Sequence, residues 1–262
     1  MSVFGICMVK NAEDIIGYIV EHMIEEVDYI IVADNLSQDN TRSILDSFGT
    51  KITVVDDNDP AYRQSEKMTA LAHLAKKMDW LGTGSETTWV VPFDADEWWY
   101  SEQGRLADVI RDNNYCINVA PIYDHVPTAV DGSDPNPMKR IAWRRASKTP
   151  LHKVACRVTG DLTIEMGNHN ATYQVHKPTY GEGLLSVRHY PYRSAEQFVD
   201  KAVVGAMALE MTDLPYEMGE HWRSYAQIAK DSGADALKDV FRKWFWSADP
   251  AKEGLVFDPV IP

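Results

Sequence analysis

Two carboxylates two residues apart, Asp94 and Asp96, lie in the run Asp94-Ala95-Asp96-Glu97, directly after the apolar stretch Trp89-Val90-Val91-Pro92-Phe93. In extended chain, residues i and i+2 face the same way, so the pair projects together from a strand end. Hard oxygen donors so placed suit Mn²⁺ or Mg²⁺, with diphosphate oxygens and water filling the remaining positions. Capping of a following helix, or plain exposure to solvent, would use the same acids. The position at the end of an apolar strand favours the metal.

A second set of polar groups follows the first two apolar runs. Lys10, Asn11 and Glu13 come after Val3 to Val9, and Asp34, Asn35, Asp39 and Thr41 come after Tyr29 to Ala33. Such groups can hydrogen-bond a base and a ribose, but Asn, Asp and Ser are also the usual turn formers, and Asn11 and Thr41 could cap helices. Arg63 and Lys67 open the helix ahead of the acidic motif. A cation there meets phosphate charge or lies on a solvated helix face.

Downstream, His169 sits in Gly167-Asn168-His169-Asn170 and His189 in Arg188-His189-Tyr190-Pro191-Tyr192-Arg193-Ser194. Imidazole ligates transition metals and moves protons near neutral pH. Arg188, Arg193 and Lys201 gather positive charge around His189, and Arg193, Ser194 and Lys201 could steady a leaving diphosphate. His189 is read as a metal ligand or diphosphate contact; a nitrogen donor added to two carboxylates favours Mn²⁺ over Mg²⁺. The aromatic group Trp80, Trp98, Trp99 and Tyr100 suits either sugar faces or core packing.

The elements that must position these residues are legible in part. Val3 to Val9, Tyr29 to Ala33, Ile52 to Val55 and Trp89 to Phe93 read as buried strands. They alternate with a helix after Asn11, whose apolar stripe runs from Ile15 to Val27, and one near Gln64 to Met78. This alternation predicts right-handed crossovers, a mostly parallel Rossmann-like sheet, and functional loops at its carboxyl edge. Beyond Trp99 the alternation weakens. Tyr115 to Ala120, Arg140 to Arg144, Lys153 to Val158 and Leu185 to Tyr190 read as shorter strands. Ser194 to Met211, His221 to Lys230 and Ala234 to Trp246 read as helices, and Asp249 to Pro262 as irregular. The expected organisation is a nucleotide-binding half over 1–100 and a mixed α+β half over 101–262 that binds the acceptor and carries helices at its end.

The 262 residues suffice for a buried core, and 45% hydrophobic with 25% charged residues is ordinary globular usage. A net charge of −13 opposes a broad footprint for nucleic acid or anionic membrane, so an anionic ligand has to be held locally. Cys7, Cys116 and Cys156 form no CxxC pair and suit a reducing cytosol. The opening residues Met1 to Phe4 lack a basic region ahead of a long apolar one, and no stretch approaches the roughly 20 apolar residues of a membrane span. A cytoplasmic location is expected.

Four ordered segments resemble the family-2-like glycosyltransferases of the GT-A fold. They are Met8-Val9-Lys10-Asn11-Ala12-Glu13-Asp14-Ile15, Asp34-Asn35-Leu36-Ser37-Gln38-Asp39-Asn40-Thr41, Phe93-Asp94-Ala95-Asp96-Glu97, and His189-Tyr190-Pro191-Tyr192-Arg193-Ser194-Ala195-Glu196-Gln197-Phe198 with Lys201. The resemblance implies a nucleotide-diphosphate sugar donor, a UDP-sugar being favoured, and a carbohydrate, glycoconjugate or protein acceptor. It implies a divalent cation held through Asp94 and Asp96 with a histidine, His189, completing the shell. By position, Asp96 would ligate directly, Asp94 would touch ribose or metal-bound water, and Asp34 would contact the nucleoside. Val9, Asn11, Glu13, Lys67, Arg193 and Lys201 join Asp34 and Asp94 as the donor-binding set. Glu97 and His169 are the catalytic candidates, because the family's acidic base motif is not evident between Trp99 and His189, where Glu165 is another candidate.

Three other classes use parts of this pattern. A phosphohydrolase with an aspartyl nucleophile carries its DxD after the first strand, whereas here it follows the fourth. A nicotinamide oxidoreductase needs G-x-G-x-x-G, which Met8-Val9-Lys10-Asn11 lacks. A silent carbohydrate-binding protein on the same fold would bind sugar without consuming a nucleotide-sugar.

Overall fold

The computed structural model describes residues 1–175 and 177–260. Along the chain lie β1 (Ser2–Val9), α1 (Ile16–Glu26), β2 (Tyr29–Asp34), α2 (Thr41–Ser47), β3 (Ile52–Asp56), α3 (Gln64–Thr83), β4 (Thr88–Pro92), β5 (Glu97–Tyr100), α4 (Leu106–Arg111) and β6 (Ile117–Asp124). There follow α5 (Pro137–Arg140), β7 (Trp143–Arg144), β8 (His152–Arg157), β9 (Leu162–Ile164), a 3-10 turn at Met166–Asn168, β10 (Ala171–Tyr173), β11 (Tyr180–Gly181) and β12 (Ser186–His189). The chain closes with α6 (Ala195–Glu210), α7 (Glu220–Ser232), α8 (Ala234–Trp244) and β13 (Val256–Phe257).

The residues group into two compact units, one of Met1–Asn58, Gln64–Ile122 and Lys148–His189, the other of Asp59–Arg63, Tyr123–Ser147 and Tyr190–Pro262. The boundary expected near Tyr100 falls inside the first unit, because strands later in the chain extend the same sheet. That sheet runs β3-β2-β1-β4-β8-β6-β12-β5, with β11 beside β6. Its first four strands are mutually parallel, whereas β8 is antiparallel to β4 and β6, and β12 is antiparallel to β5. The expected Rossmann-like α/β sheet flanked by helices is thus the architecture of this unit.

Burial explains the order. β1, β2 and β4 are apolar on both faces, as strands covered on both sides must be. α3 covers one side with Met68, Leu71, Ala72 and Ala75, which pack with Ile6, Ile31, Ala33, Val90 and Val154. α1 buries Ile16, Ile19, Val20 and Met23 at helical spacing. Gly5 of β1 is needed for closeness, since a Cβ there would lie 3.0 Å from the Phe93 ring.

Because β1 leads to β2 and β3 on one side while β4 returns to the other, the strand order reverses between β1 and β4. Open α/β sheets form a ligand crevice at the carboxyl ends of such a pair. Asp94 to Glu97 leave β4 at that point.

Two local expectations are corrected. Asn11 does not cap α1: Ile15 occupies the cap position with no side-chain cap bond, and Asn11 takes a left-handed φ of 49°, which asparagine tolerates. Arg140 to Arg144 is not one strand either. Asn136 caps a turn of helix with Pro137 at its start, accepting from the Met138 amide, and only Trp143–Arg144 is extended. Within the expected irregular tail, Val256–Phe257 pairs with that strand, while Ile261 and Pro262 lie outside the described residues.

In the second unit, Ser194 caps α6 by accepting from the Gln197 amide, and Phe198, Ala202, Leu237 and Phe241 form a core joined by Tyr192, Tyr225 and Phe245. Among the described residues no helix is long and apolar enough to cross a membrane, and all three cysteines are free thiols.

Candidate functional site

The acidic turn is built around a buried lysine. β8 is apolar from Val154 to Cys156, and Lys153 near its start is itself 4% exposed. A buried ammonium needs carboxylates. Lys153 Nζ lies 2.6 Å from Asp94 Oδ2 and 2.8 Å from Glu97 Oε1, and donates to the Gly167 carbonyl at 2.8 Å. Burial works against its charge, but Asp94 and Glu97 outweigh burial and raise its pKa above the ordinary lysine value.

The other oxygen of Asp94 accepts from Gln64 Nε2 at 3.2 Å and Asn168 Nδ2 at 3.1 Å, and Gln64 Oε1 accepts from the Gly167 amide at 2.8 Å. Asp94 is therefore a hub joining the start of α3, the 3-10 turn and β8. Both of its oxygens are engaged in these bonds.

Glu97 does not stand where a catalytic acid or base must stand. It is fully buried, and its Oε2 accepts from the Asp94 amide at 3.1 Å and from Trp99 Nε1 at 3.3 Å. Burial raises its carboxyl pKa, with Lys153 opposing. A group without access to substrate cannot transfer its proton, so the catalytic expectation for Glu97 is replaced by a structural one. Nor does a helix follow the motif: Glu97 opens β5.

Asp96 and His189 form the second pair. Asp96 Oδ1 and His189 Nε2 are 3.7 Å apart, on adjoining β5–β12 ground where Glu97 and His189 are register partners. Two donors each about 2.1 Å from one ion stand roughly 3–4 Å apart, so this spacing fits two ligands of a divalent cation. One carboxylate oxygen and one imidazole nitrogen suit Mn²⁺, with diphosphate and water for the other positions. Among the described residues no cluster of three His, Cys, Asp or Glu side chains makes a metal site. Asp94, also expected as a metal ligand, is paired with Lys153.

His169 stands beside the hub. Its Nδ1 is 2.7 Å from the His152 carbonyl, which can only accept, so Nδ1 carries the hydrogen and the neutral ring keeps its lone pair on Nε2. Burial, then the charge of Lys153, lowers its pKa. Gly167, at φ 73°, supports the ring, and a Cβ there would meet His169 Cδ2 at 2.4 Å.

The loops after β1 and β2 close on each other. Asn11 donates its amide to Ser37 Oγ at 3.0 Å and accepts from the Gln38 amide at 2.8 Å. Glu13 Oε2 accepts from the amide and side chain of Asn40, and Thr41 Oγ1 accepts from the Ala12 amide at 2.8 Å. The Val9 carbonyl accepts from the Asn35 amide at 2.8 Å. Asp34 is buried at the end of β2 and accepts from the Ser37 amide at 3.3 Å. Lys67 pairs with Asp57 at 2.8 Å, and Asp57 also accepts from Asn35 at 2.7 Å. Arg193 and Lys201 belong to the second unit, where they donate to the carbonyls of Tyr190 and Pro191 respectively.

Of the aromatic group, Trp99 is core, Trp98 stacks on His22 at 3.6 Å, Arg188 lies over Tyr100, and Trp80 is exposed on α3. The sequence reading missed Lys153 and Gln64. The available signal was a lysine at the start of a strand apolar on both faces, which must find an acid.

No family model matches the sequence, and no curated protein matches it. Among solved structures, the chain is similar to residues 1–349 of S. aureus TarS in complex with UDP, at 13% identity and TM-score 0.40, over 88% of this chain and 73% of that one. It is also similar to a Bacillus anthracis protein named as a glucose-1-phosphate thymidylyltransferase, in complex with sucrose, at 9% identity and TM-score 0.32, over 95% and 86%. A mycobacterial protein aligns at 12% identity and TM-score 0.35, over 82% of this chain and 76% of that one.

Proposed function

We propose that the chain is a divalent-cation-dependent glycosyltransferase that takes a nucleotide-diphosphate sugar, a UDP-sugar in preference, and glycosylates a carbohydrate, glycoconjugate or protein acceptor. The observation that carries this reading is the acidic turn at the β1–β4 reversal, with Asp96 and His189 at ligand spacing. Asp34, at the neighbouring carboxyl edge of β2, hydrogen-bonds the nucleoside. Asp96 and His189 would hold the divalent cation, Mn²⁺ or Mg²⁺, which when bound would supply charge neutralisation for a departing diphosphate. His169 takes the acceptor hydroxyl proton on Nε2, and its Nδ1–H bond to the His152 carbonyl keeps the ring oriented. Free cysteines suit a reducing, cytoplasmic setting.

A thermal-shift panel of UDP-, GDP-, CDP- and dTDP-sugars, with and without Mn²⁺, tests the reading. A ligand at a hundred times its Kd stabilises the folded chain by about 2.7 kcal/mol. One nucleotide-sugar is expected to raise the melting temperature, and only with the cation. No shift with any of the four would overturn the assignment.

A further inference from the structure

The apolar stripe of α8 runs past the end of the core it serves. Leu237, Phe241 and Trp244 recur at i, i+4 and i+7, so they share one face of the helix. Leu237 and Phe241 are buried, but Trp244 is 60% exposed. Lys243 Nζ lies 5.0 Å from the centre of its ring. The Trp244 carbonyl accepts from Arg145 at 3.1 Å, which ties the end of α8 to the chain just after β7. β7 in turn pairs with β13, where Phe257 packs on Trp143 with ring centroids 5.2 Å apart. Phe257 is also 60% exposed, Val256 38% and Trp246 36%. All of these residues belong to the second unit.

Single exposed apolar side chains are ordinary, whereas several large rings tied together on a surface mark a place of contact. The charges around them narrow the partner. Arg242 pairs with Asp239, Lys252 with Asp249 and Arg144 with Asp258. Among the described residues Arg145 and Lys243 are in no ion pair, against Glu253 as the acid of this stretch that no cation answers, so a positive excess stands beside the rings.

We infer that this face of the second unit seats on an anionic lipid surface, with Trp244 and Phe257 entering the headgroup layer and Arg145 and Lys243 meeting lipid anions. Indole rings settle at the level of the headgroups, and long basic side chains lay their stems along apolar surface while keeping the charge in water. A symmetric contact with a second copy would instead bring Arg145 and Lys243 of both copies into one place, where like charges repel. The net charge of −13 repels an anionic surface elsewhere on the chain, so attachment is confined to this face. The inference concerns where the chain works and does not rest on the nucleotide-sugar reading.

Co-sedimentation of the full chain with phosphatidylcholine vesicles, with and without phosphatidylserine, tests it, while circular dichroism and melting curves report the fold. Wild type is expected to bind the phosphatidylserine vesicles and to bind the neutral ones more weakly. Trp244→Ser with Phe257→Ser is expected to lose about tenfold or more in affinity, because both rings leave the interface. Arg145→Gln with Lys243→Gln is expected to lose about tenfold on the anionic vesicles through two missing charges. Trp80→Ser removes a similarly exposed ring from α3 in the first unit and is expected to bind as wild type does. Absence of wild-type binding to the anionic vesicles would overturn the inference, as would unchanged affinity in the folded aromatic double variant or an equal loss in Trp80→Ser. If the aromatic double variant does not fold, the charge variant decides, and unchanged affinity there overturns the inference. A wild-type dimer in sedimentation velocity, dissolved by the aromatic double variant and accompanied by no vesicle binding, would assign the face to a second copy instead.

Discussion

Two ends of the same sheet edge are stabilised by opposite means. The loops after β1 and β2 are tied by neutral and singly charged hydrogen bonds among Asn11, Glu13, Ser37, Asn40 and Thr41, several of them exposed to water. The turn after β4 is organised by one buried ammonium between two carboxylates. Exposed bonds of the first kind are each worth about 0.5–1.5 kcal/mol, because water offers nearly equivalent partners. A buried charge left without its partner costs several times more. Polar residues at both ends look alike in a sequence, but only burial tells which are fixed and which can meet a ligand.

The largest effect that would break this contrast is at Lys153. Lys153→Met leaves Glu97 and Asp94 without their cation and is expected to lose about 3–5 kcal/mol in urea unfolding, with Glu97→Gln recovering much of it. A loss under about 1 kcal/mol would place Lys153 in the same class as the front loops.

His22, on α1 behind the acidic turn, comes next. It stacks on Trp98 and bonds the Trp99 carbonyl at 2.6 Å. Burial, then the nearby charge of Arg188, lowers its pKa to about 4 from an ordinary 6.5. A depressed folded pKa means that stability is fully present above about pH 6.5 and is lost as pH falls toward 4. His22→Gln should remove about 2–3 kcal/mol of that acid-side loss, read as the difference between the two proteins' urea stabilities at pH 7 and pH 4.5. Parallel pH dependences would refute the burial of a neutral ring there.

Gly167→Ala sharpens the comparison inside the site. The new methyl meets His169 on a left-handed backbone and is expected to cost about 1–3 kcal/mol, with kcat falling more than KM rises. The smallest effect belongs to the front loops, where Glu13→Ala is expected to cost about 1 kcal/mol or less, measured by thermal melting.

The sequence made the parallel half legible because strands apolar on both faces and an amphipathic helix announce themselves by period. Ser2–Val9, Tyr29–Asp34 and Thr88–Pro92 match their apolar runs to within a residue or so. Glu97–Tyr100 was not legible as a strand, since its alternation begins with a buried glutamate whose partner lies 56 positions away in sequence. Asn11 misled for a related reason: an asparagine ahead of an apolar stripe signals a cap, yet here it serves a turn at positive φ. The residue types of the site could be read from spacing. Their division between Lys153 and His189 depended on which strands adjoin, a long-range property that no local pattern carries.

The central claim is that the middle acid of the turn binds the donor through a divalent cation. The most direct measurement is calorimetric titration of a UDP-sugar into the chain with Mn²⁺, alongside the same titration in excess EDTA and with Asp96→Asn. Binding in Mn²⁺ alone, lost at least a hundredfold in the other two with melting temperature held, is the predicted result. Donor affinity unchanged by EDTA, or retained in folded Asp96→Asn, would contradict it.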